Sequence, residues 1–254
     1  MSTWKVVAAS VRGTSHIKRD LPCQDAHHWL VLPGTVLVGA VADGAGSVSL
    51  SDIGSSLAVK TAVEAIADRA EKLNTLKNEQ DWLDFFQDVY HLTLNVLEAE
   101  ADLLNVDRRE LSTTLLLAVA TPDFVATAQI GDGAVVIGDT EAEVVGLTNP
   151  NVEEYLEFTT FLTSPNAIDS IQIGLWSGKV AQVTMFSDGL QLLALKMPEG
   201  KPHAPFFIPL FRAIAQEPNV NEIERSVIEF LSSERVTAKT DDDITLLLAD
   251  LNRT

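Results

Sequence analysis

The chain of 254 residues is poor in cysteine, in histidine and in basic side chains, and each shortage removes a class of function. Its one cysteine, Cys23, cannot form an intramolecular disulfide, so nothing in the sequence asks for an oxidising compartment. Eighteen Lys and Arg stand against 36 Asp and Glu, giving a formal charge of −18 and an isoelectric point near 4.5. Such a field repels nucleic-acid phosphates and anionic lipid alike, so neither nucleic acid nor a membrane is expected as a partner. Long apolar runs are missing too. The segments at 36–42 and 115–120 fall well short of the ~18 residues of a spanning helix, and the run at 6–9 is too short for a secretory core. No repeat, low-complexity tract or long linker divides the chain. What is present, 46% hydrophobic with 21% charged residues, is the composition of a globular protein with a sizeable core. The expectation is one cytoplasmic domain over residues 1–254.

The hydrophobic period changes along the chain in blocks. Residues 4–9, 27–32 and 35–42 read as strands, the last almost wholly apolar and therefore central. Two long helices follow. The first, from about Ser51, aligns Val59, Ala62, Val63, Ile66, Ala70 and Leu73; the second aligns Trp82, Phe85, Phe86, Val89, Leu92, Val96 and Leu103. Strands return at 113–120, 124–130, 134–138 and 143–147, broken by Pro122-Asp123, Asp132-Gly133 and Asp139-Thr140, which read as antiparallel hairpin breaks. An irregular stretch spans 148–178. A strand at 180–186, helices near 188–196, 205–217 and 221–233, and a closing strand at 244–251 complete the pattern. Blocks of strands and blocks of helices indicate α+β, and two amphipathic helix blocks need two sheet faces to cover. The expected architecture is an αββα four-layer sandwich, two antiparallel β-sheets flanked by helix pairs.

One phrase recurs: an apolar strand followed by Asp-Gly, at Asp43-Gly44, Asp132-Gly133 and Asp188-Gly189. Asp241-Asp242-Asp243 stands just before the last strand, and Asp25 before another. Strand ends hold carboxylates rigidly, and glycine lets the backbone approach an ion closely. Converging carboxylates do not all stay ionised without a cation among them. An all-oxygen set selects Mg²⁺ or Mn²⁺, and the scarcity of Cys and His speaks against zinc. Taken singly, Asp132-Gly133 also reads as a hairpin turn, Asp43 and Asp188 as helix caps, and 241–243 as a solvated strand entry.

The phrases Cys23-Gln24-Asp25-Ala26-His27, Val41-Ala42-Asp43-Gly44-Ala45-Gly46, Ser112-Thr113-Thr114-Leu115, Ile130-Gly131-Asp132-Gly133, Phe186-Ser187-Asp188-Gly189-Leu190 and Asp242-Asp243-Ile244-Thr245, in that order, resemble the metal-dependent Ser/Thr protein phosphatases of type 2C. With Gly13-Thr14-Ser15-His16, the resemblance is to a bacterial branch. It implies Mg²⁺- or Mn²⁺-dependent hydrolysis of phosphoserine and phosphothreonine in proteins by a metal-bridging hydroxide, opposite a Ser/Thr kinase, by a monomer. It implies two ions and a possible third. Asp43 matches the bridging ligand and Gly44 the carbonyl donor, while Asp188 and Asp242 match further ligands. Asp132 matches a ligand of the third ion, Asp25 the acidic residue of the first phrase, and 148–178 a flap beside the site. Two positions depart from the pattern. Gln24 stands where many members have a second carboxylate, and Asp20 where they have a phosphate-gripping arginine, which leaves Arg19, Arg12 and His16 as candidates for that contact. These departures motivate the rival reading, a catalytically weak pseudophosphatase that binds phosphoproteins. A thiol mechanism is disfavoured because no arginine-closed loop follows Cys23.

Overall fold

A computed structural model describes residues 2–141, 143–148 and 159–252. The strands are β1 (Thr3–Val11), β2 (Ala26–Leu32), β3 (Val36–Ala42), β4 (Leu115–Thr121), β5 (Phe124–Ile130), β6 (Ala134–Asp139), β7 (Val144–Gly146), β8 (Gln172–Ser177), β9 (Val180–Phe186), the short β10 (Leu195–Lys196) and β11 (Lys201–Pro202), and β12 (Ile244–Asn252). The helices are α1 (Thr14–Arg19), α2 (Ser51–Ala67), α3 (Ala70–Leu73), α4 (Glu79–Leu104), α5 (Gln191–Ala194), α6 (Ala204–Gln216), α7 (Val220–Leu231) and α8 (Glu234–Thr237). Two five-stranded sheets form, in the orders β1-β12-β9-β6-β7 and β2-β3-β4-β5-β8, and every pairing is antiparallel.

Side-chain parity explains the layering. In β3, Val38, Ala40 and Ala42 face α2 and α4, while Leu37 and Val41 face the other sheet. In β12, Leu246 and Leu248 lie under α6 and α7, while Leu247, Ala249 and Leu251 fill the space between the sheets. Three apolar clusters result, one between each sheet and its helices and one between the sheets. Strands buried on both faces lose the polar alternation of an exposed sheet, which is why 36–42 reads as a continuous apolar run. Helix α4 starts with a capping box, Asn78 and Asp81, and buries Trp82, Phe85, Phe86, Val89 and Leu97. The αββα expectation holds.

Several local expectations change. The helical stripe from Ser51 is broken after Ala67, so Ala70 and Leu73 belong to α3. Leu103, at the far end of α4, is exposed. Within 148–178, residues 172–177 are not irregular but form β8, which completes the second sheet against β5. Residues 149–158 of that expected flap lie outside the described residues. The Asp132-Gly133 break is not a hairpin. It carries the chain from β5 in one sheet to β6 in the other. The crossover is tight: Gly131 has φ +110°, and a Cβ there would lie 2.5 Å from the Thr114 side chain. Only glycine takes that conformation without strain. Gly131→Ala therefore costs about 1–3 kcal/mol, read as a melting temperature lower by several degrees.

Candidate metal centre

Register brings the aspartates together. Ala26 pairs with Ala42 and Leu115 with Ile130, so one end of the second sheet carries Asp25, Asp43 and the exit of β5. Phe186 pairs with both Ala134 and Leu246, and Val11 with Ile244, so the matching end of the first sheet carries Asp132, Asp188 and Asp242-Asp243. Asp43, Asp132 and Asp188 each bring one carboxylate oxygen within 4.8 Å of the others. Asp25 and Asp242 stand outside that group of three, yet both carboxylates act on Asp43 and Asp188 electrostatically.

Each carboxylate is positioned by named partners. The Asp43 amide donates to Thr114 Oγ1 at 2.9 Å, and its carbonyl accepts from the Thr114 amide at 2.8 Å. Asp25 is buried and accepts from Ser187 Oγ at 2.6 Å. Asp132 Oδ2 accepts from Thr159 Oγ1 at 3.0 Å, and Gln191 Nε2 donates to its carbonyl at 2.6 Å. Asp188 Oδ1 is buried without a hydrogen-bond partner. Gly44 donates its N–H to the Gln24 carbonyl at 3.1 Å, and a Cβ on it would sit 2.6 Å from that oxygen, so the close approach needs glycine.

Burial and mutual repulsion raise these acids. Burial, then Asp132 and Asp242, pushes Asp188 up to about 8. Burial, against the opposing Ser187 hydrogen bond, pushes Asp25 up to about 7. Asp43 is raised well above the carboxylate range by burial, then by Asp25, Asp188 and Asp132. A buried oxygen with no donor and three carboxylates at this spacing are what a hard dication satisfies, so the donor set fits Mg²⁺ or Mn²⁺. Burial, with Asp243 and Asp25 nearby, pushes the half-buried Cys23 thiol far up, away from a nucleophilic thiolate.

The three phosphate-contact candidates differ in placement. Arg19 donates to the Ser15 carbonyl at the surface. His16 is buried, its Nδ1 2.9 Å from Asp243 Oδ2. Arg12 donates to the Leu21 carbonyl and shares a cavity of about 130 Å³ with Asp242. Asp243, the anchor that sequence reasoning passed over, accepts from the Gly13 amide at 2.6 Å and the Gln24 amide at 2.5 Å as well as facing His16. Its parity with Leu247, which faces the other sheet, was the available signal.

A profile of the family described as protein phosphatase 2C matches residues 12–232. The chain belongs to the protein phosphatase 2C family. It is 38% identical over 254 residues to serine/threonine-protein phosphatase 3 of Escherichia coli (strain K12), covering 97% of this chain and 98% of that one. Among solved structures, serine/threonine phosphatase Stp1 from Staphylococcus aureus has a TM-score of 0.65 at 13% identity, covering 98% of this chain and 95% of that one. The catalytic domain of serine threonine protein phosphatase PstP in complex with 2 manganese ions has a TM-score of 0.62 at 16% identity, covering both chains fully. These two likenesses establish the fold. Family membership makes the protein a serine/threonine protein phosphatase, a hydrolase.

Because these carboxyls have folded-state pKa values above their unfolded ones, the metal-free protein holds protons that the unfolded chain has released. Its stability is greatest below about pH 4 to 5 as far as these groups are concerned, and falls as pH rises towards about 8. Asp188→Asn removes one repelling charge. The metal-free variant at pH 8 should gain on the order of 1–3 kcal/mol, a melting temperature several degrees higher, with a weaker pH dependence. Melting curves of both proteins in chelator at pH 5.5 and 8 check this.

Proposed function

We propose that the protein hydrolyses phosphoserine and phosphothreonine in proteins with two Mg²⁺ or Mn²⁺ ions, a third being possible. Asp43, Asp188 and Asp242, with the Gly44 carbonyl, would hold the ions, Asp132 would serve the third, and Asp25 would complete the acidic set. The observation that carries the reading is the convergence of Asp43, Asp132 and Asp188 within 4.8 Å, with Asp188 Oδ1 buried and undonated. Ions bound there supply Lewis acidity, acidifying water and offsetting charge on phosphoryl oxygens. The chain's own residues do the positioning. Thr114 fixes the Asp43 backbone and Ser187 fixes the Asp25 carboxylate, so neither ligand has to be ordered when substrate arrives. Arg12, which lines one cavity with Asp242, is the basic residue that would donate to a phosphate oxygen. A protein of charge −18 repels a phosphopeptide unless dications invert the field locally, which ties metal binding to substrate binding. In this reading the enzyme works as a cytoplasmic monomer against a Ser/Thr kinase, through one phosphatase domain whose flap includes part of 148–178.

Hydrolysis of p-nitrophenyl phosphate and of a phosphothreonine peptide should require Mn²⁺ or Mg²⁺ and vanish with EDTA. Asp43→Ala should lose activity by at least ~10³-fold, the size of effect that loss of a principal electrostatic element produces, while staying folded. Full turnover in chelator, or in a folded Asp43→Ala protein, contradicts the assignment. The pseudophosphatase reading has one observation in its favour. Gln24 contributes a neutral amide, and its Oε1 is buried without a hydrogen-bond partner. Metal-dependent turnover by the wild-type chain rules that reading out.

Gln24 yields a separate expectation. If its Oε1 looks towards the second ion, Gln24→Glu adds a carboxylate there and lowers the Mn²⁺ concentration for half-maximal activity about tenfold, or ~1.4 kcal/mol. An unchanged or weaker metal requirement places Gln24 outside the metal shell.

A further inference from the structure

The helix-facing side of the first sheet is apolar, buried Thr184 apart, until its far end. Ala9, Leu246, Phe186 and Ala134 pair across four strands, and Val7, Leu248, Thr184 and Val136 form the next row. The row after that has Lys5, Asp250, Gln182 and Gly138 in register. This polar row lies beneath α6, where an apolar one belongs.

A cavity of about 620 Å³ opens there. Asp250 and Gln182 line its floor, Ile208, Phe211 and Ala215 of α6 form an apolar wall, and Asp139, Glu143 and Arg212 stand around it. That volume is within the range of small-molecule sites. Gly138 lets two of these lining groups pack onto the backbone: a Cβ on it would lie 2.6 Å from Gln182 Oε1 and 2.8 Å from the Phe211 ring. The β6–β9 register also shifts at Gly138/Asp139, a bulge that opens the same edge.

Asp250 is the unusual group. It is only 7% exposed, yet among the described residues its carboxylate has one hydrogen bond, from Gln182 Nε2 to Oδ1 at 2.8 Å. Its register neighbour Lys5 turns away and donates to the Glu217 carbonyl at 2.9 Å. No ion pair among the described residues includes Asp250, Asp139, Glu143 or Arg212. A carboxylate that deep normally has a cationic partner. Among the described residues none forms an ion pair or a second side-chain hydrogen bond with it, and Asp250 lines the cavity.

We propose that this cavity binds a small organic cation, an alkylammonium or alkylguanidinium, with its charged head on Asp250 and its apolar stem along Ile208 and Phe211. Three carboxylates against one guanidinium set the sign of the ligand. Their spacing sets its shape. Among the described residues, only Asp43, Asp132 and Asp188 bring three such ligand atoms within 4.8 Å, so this second set does not converge on a point as a metal site does. An extended cation with a hydrocarbon stem matches the acidic floor and the apolar wall together. The site is separate from the phosphatase centre. Strands β6, β9 and β12 run from one to the other, a separation of about 20 Å.

Agmatine titrated calorimetrically into the Mg²⁺-saturated enzyme is the test, since loaded metal ions keep the amine off the other carboxylates. Saturable binding is expected, weakened at least tenfold by Asp250→Asn, a loss of ~1.4 kcal/mol. Replacing Mg²⁺ by Mn²⁺ should leave the agmatine affinity unchanged, which separates this site from the metal centre. Arg212→Glu, an exposed change that adds negative charge at the rim, should tighten binding several-fold and guards against a misfolded Asp250→Asn. Phosphatase activity of Asp250→Asn without agmatine should equal that of the wild type. No saturable binding up to ~10 mM, equal affinity in Asp250→Asn, weaker affinity in Arg212→Glu, or equal binding of uncharged butanol would each overturn the proposal.

Discussion

Asp43, Asp132 and Asp188 repel one another, and the protein keeps them together by fixing each to a strand that is packed on both faces. Asp43 follows Ala42 of β3, Asp188 lies one residue beyond the Ser187 that follows β9, and Asp132 sits in the three-residue crossover from β5 to β6. Retreat of any one would drag a strand through the apolar layers on either side of it. Core packing therefore supplies what the local electrostatics oppose, and burial together with that repulsion raises the pKa values of Asp25 and Asp188. Tight backbone contacts follow from the same crowding. Gly44 lies against the Gln24 carbonyl, and Gly131 against Thr114, both at the end of the second sheet where the carboxylates meet.

The N-terminal loop is tied to this end through Asp243. One buried carboxylate accepts the amides of Gly13 and Gln24 and faces His16, joining three points of the 13–24 segment to the entry of β12. This accounts for a departure from the family pattern. Asp20, at the position that matches the phosphate-gripping arginine, is the C-cap of α1 with φ +53°, its N–H directed at the carbonyls of His16 and Ile17. Asp tolerates the left-handed conformation better than a long side chain does, so the segment is built as a capped turn. The same segment places Arg12 on the cavity that Asp242 also lines.

Most of the layering was legible because strand and helix periods differ and because the segments are long. The 36–42 run and the 79–104 helix are single-period stretches whose apolar residues have one place to go. The failures share a cause: a local pattern does not say which sheet a strand joins. Asp132-Gly133 has the composition of a hairpin turn, yet β5 and β6 belong to different sheets, and only the filled positions beside β4 and β9 determine that. Strand β8, with Gly174 and an exposed Leu175, lacks the alternation that marks a strand, and it is held by its ladder to β5. At the site, the Asp-Gly phrases announced themselves by composition. Asp243 did not, because its role lies in three contacts made with residues more than 200 positions away.

Both ends of the β6-β9-β12 strands pose one physical problem, a buried carboxylate with no ion pair among the described residues (Asp25 at one end, Asp250 at the other), and spacing distinguishes the solutions. Where the oxygens converge within 4.8 Å, a point charge of +2 satisfies them all and an organic cation is too large to reach them together. Where they are spread over a cavity of about 620 Å³ with Phe211 and Ile208 along one wall, a point charge satisfies at most one of them and leaves the wall bare. Net charge alone would not separate these cases, since −18 attracts every cation alike. The backbone does. Gly44 and Gly131 let backbone crowd the carboxylates at one end, whereas the β6–β9 register shift at Gly138/Asp139 opens the edge beside the cavity at the other. One end of the sandwich is thus a compact carboxylate set and the other a cavity.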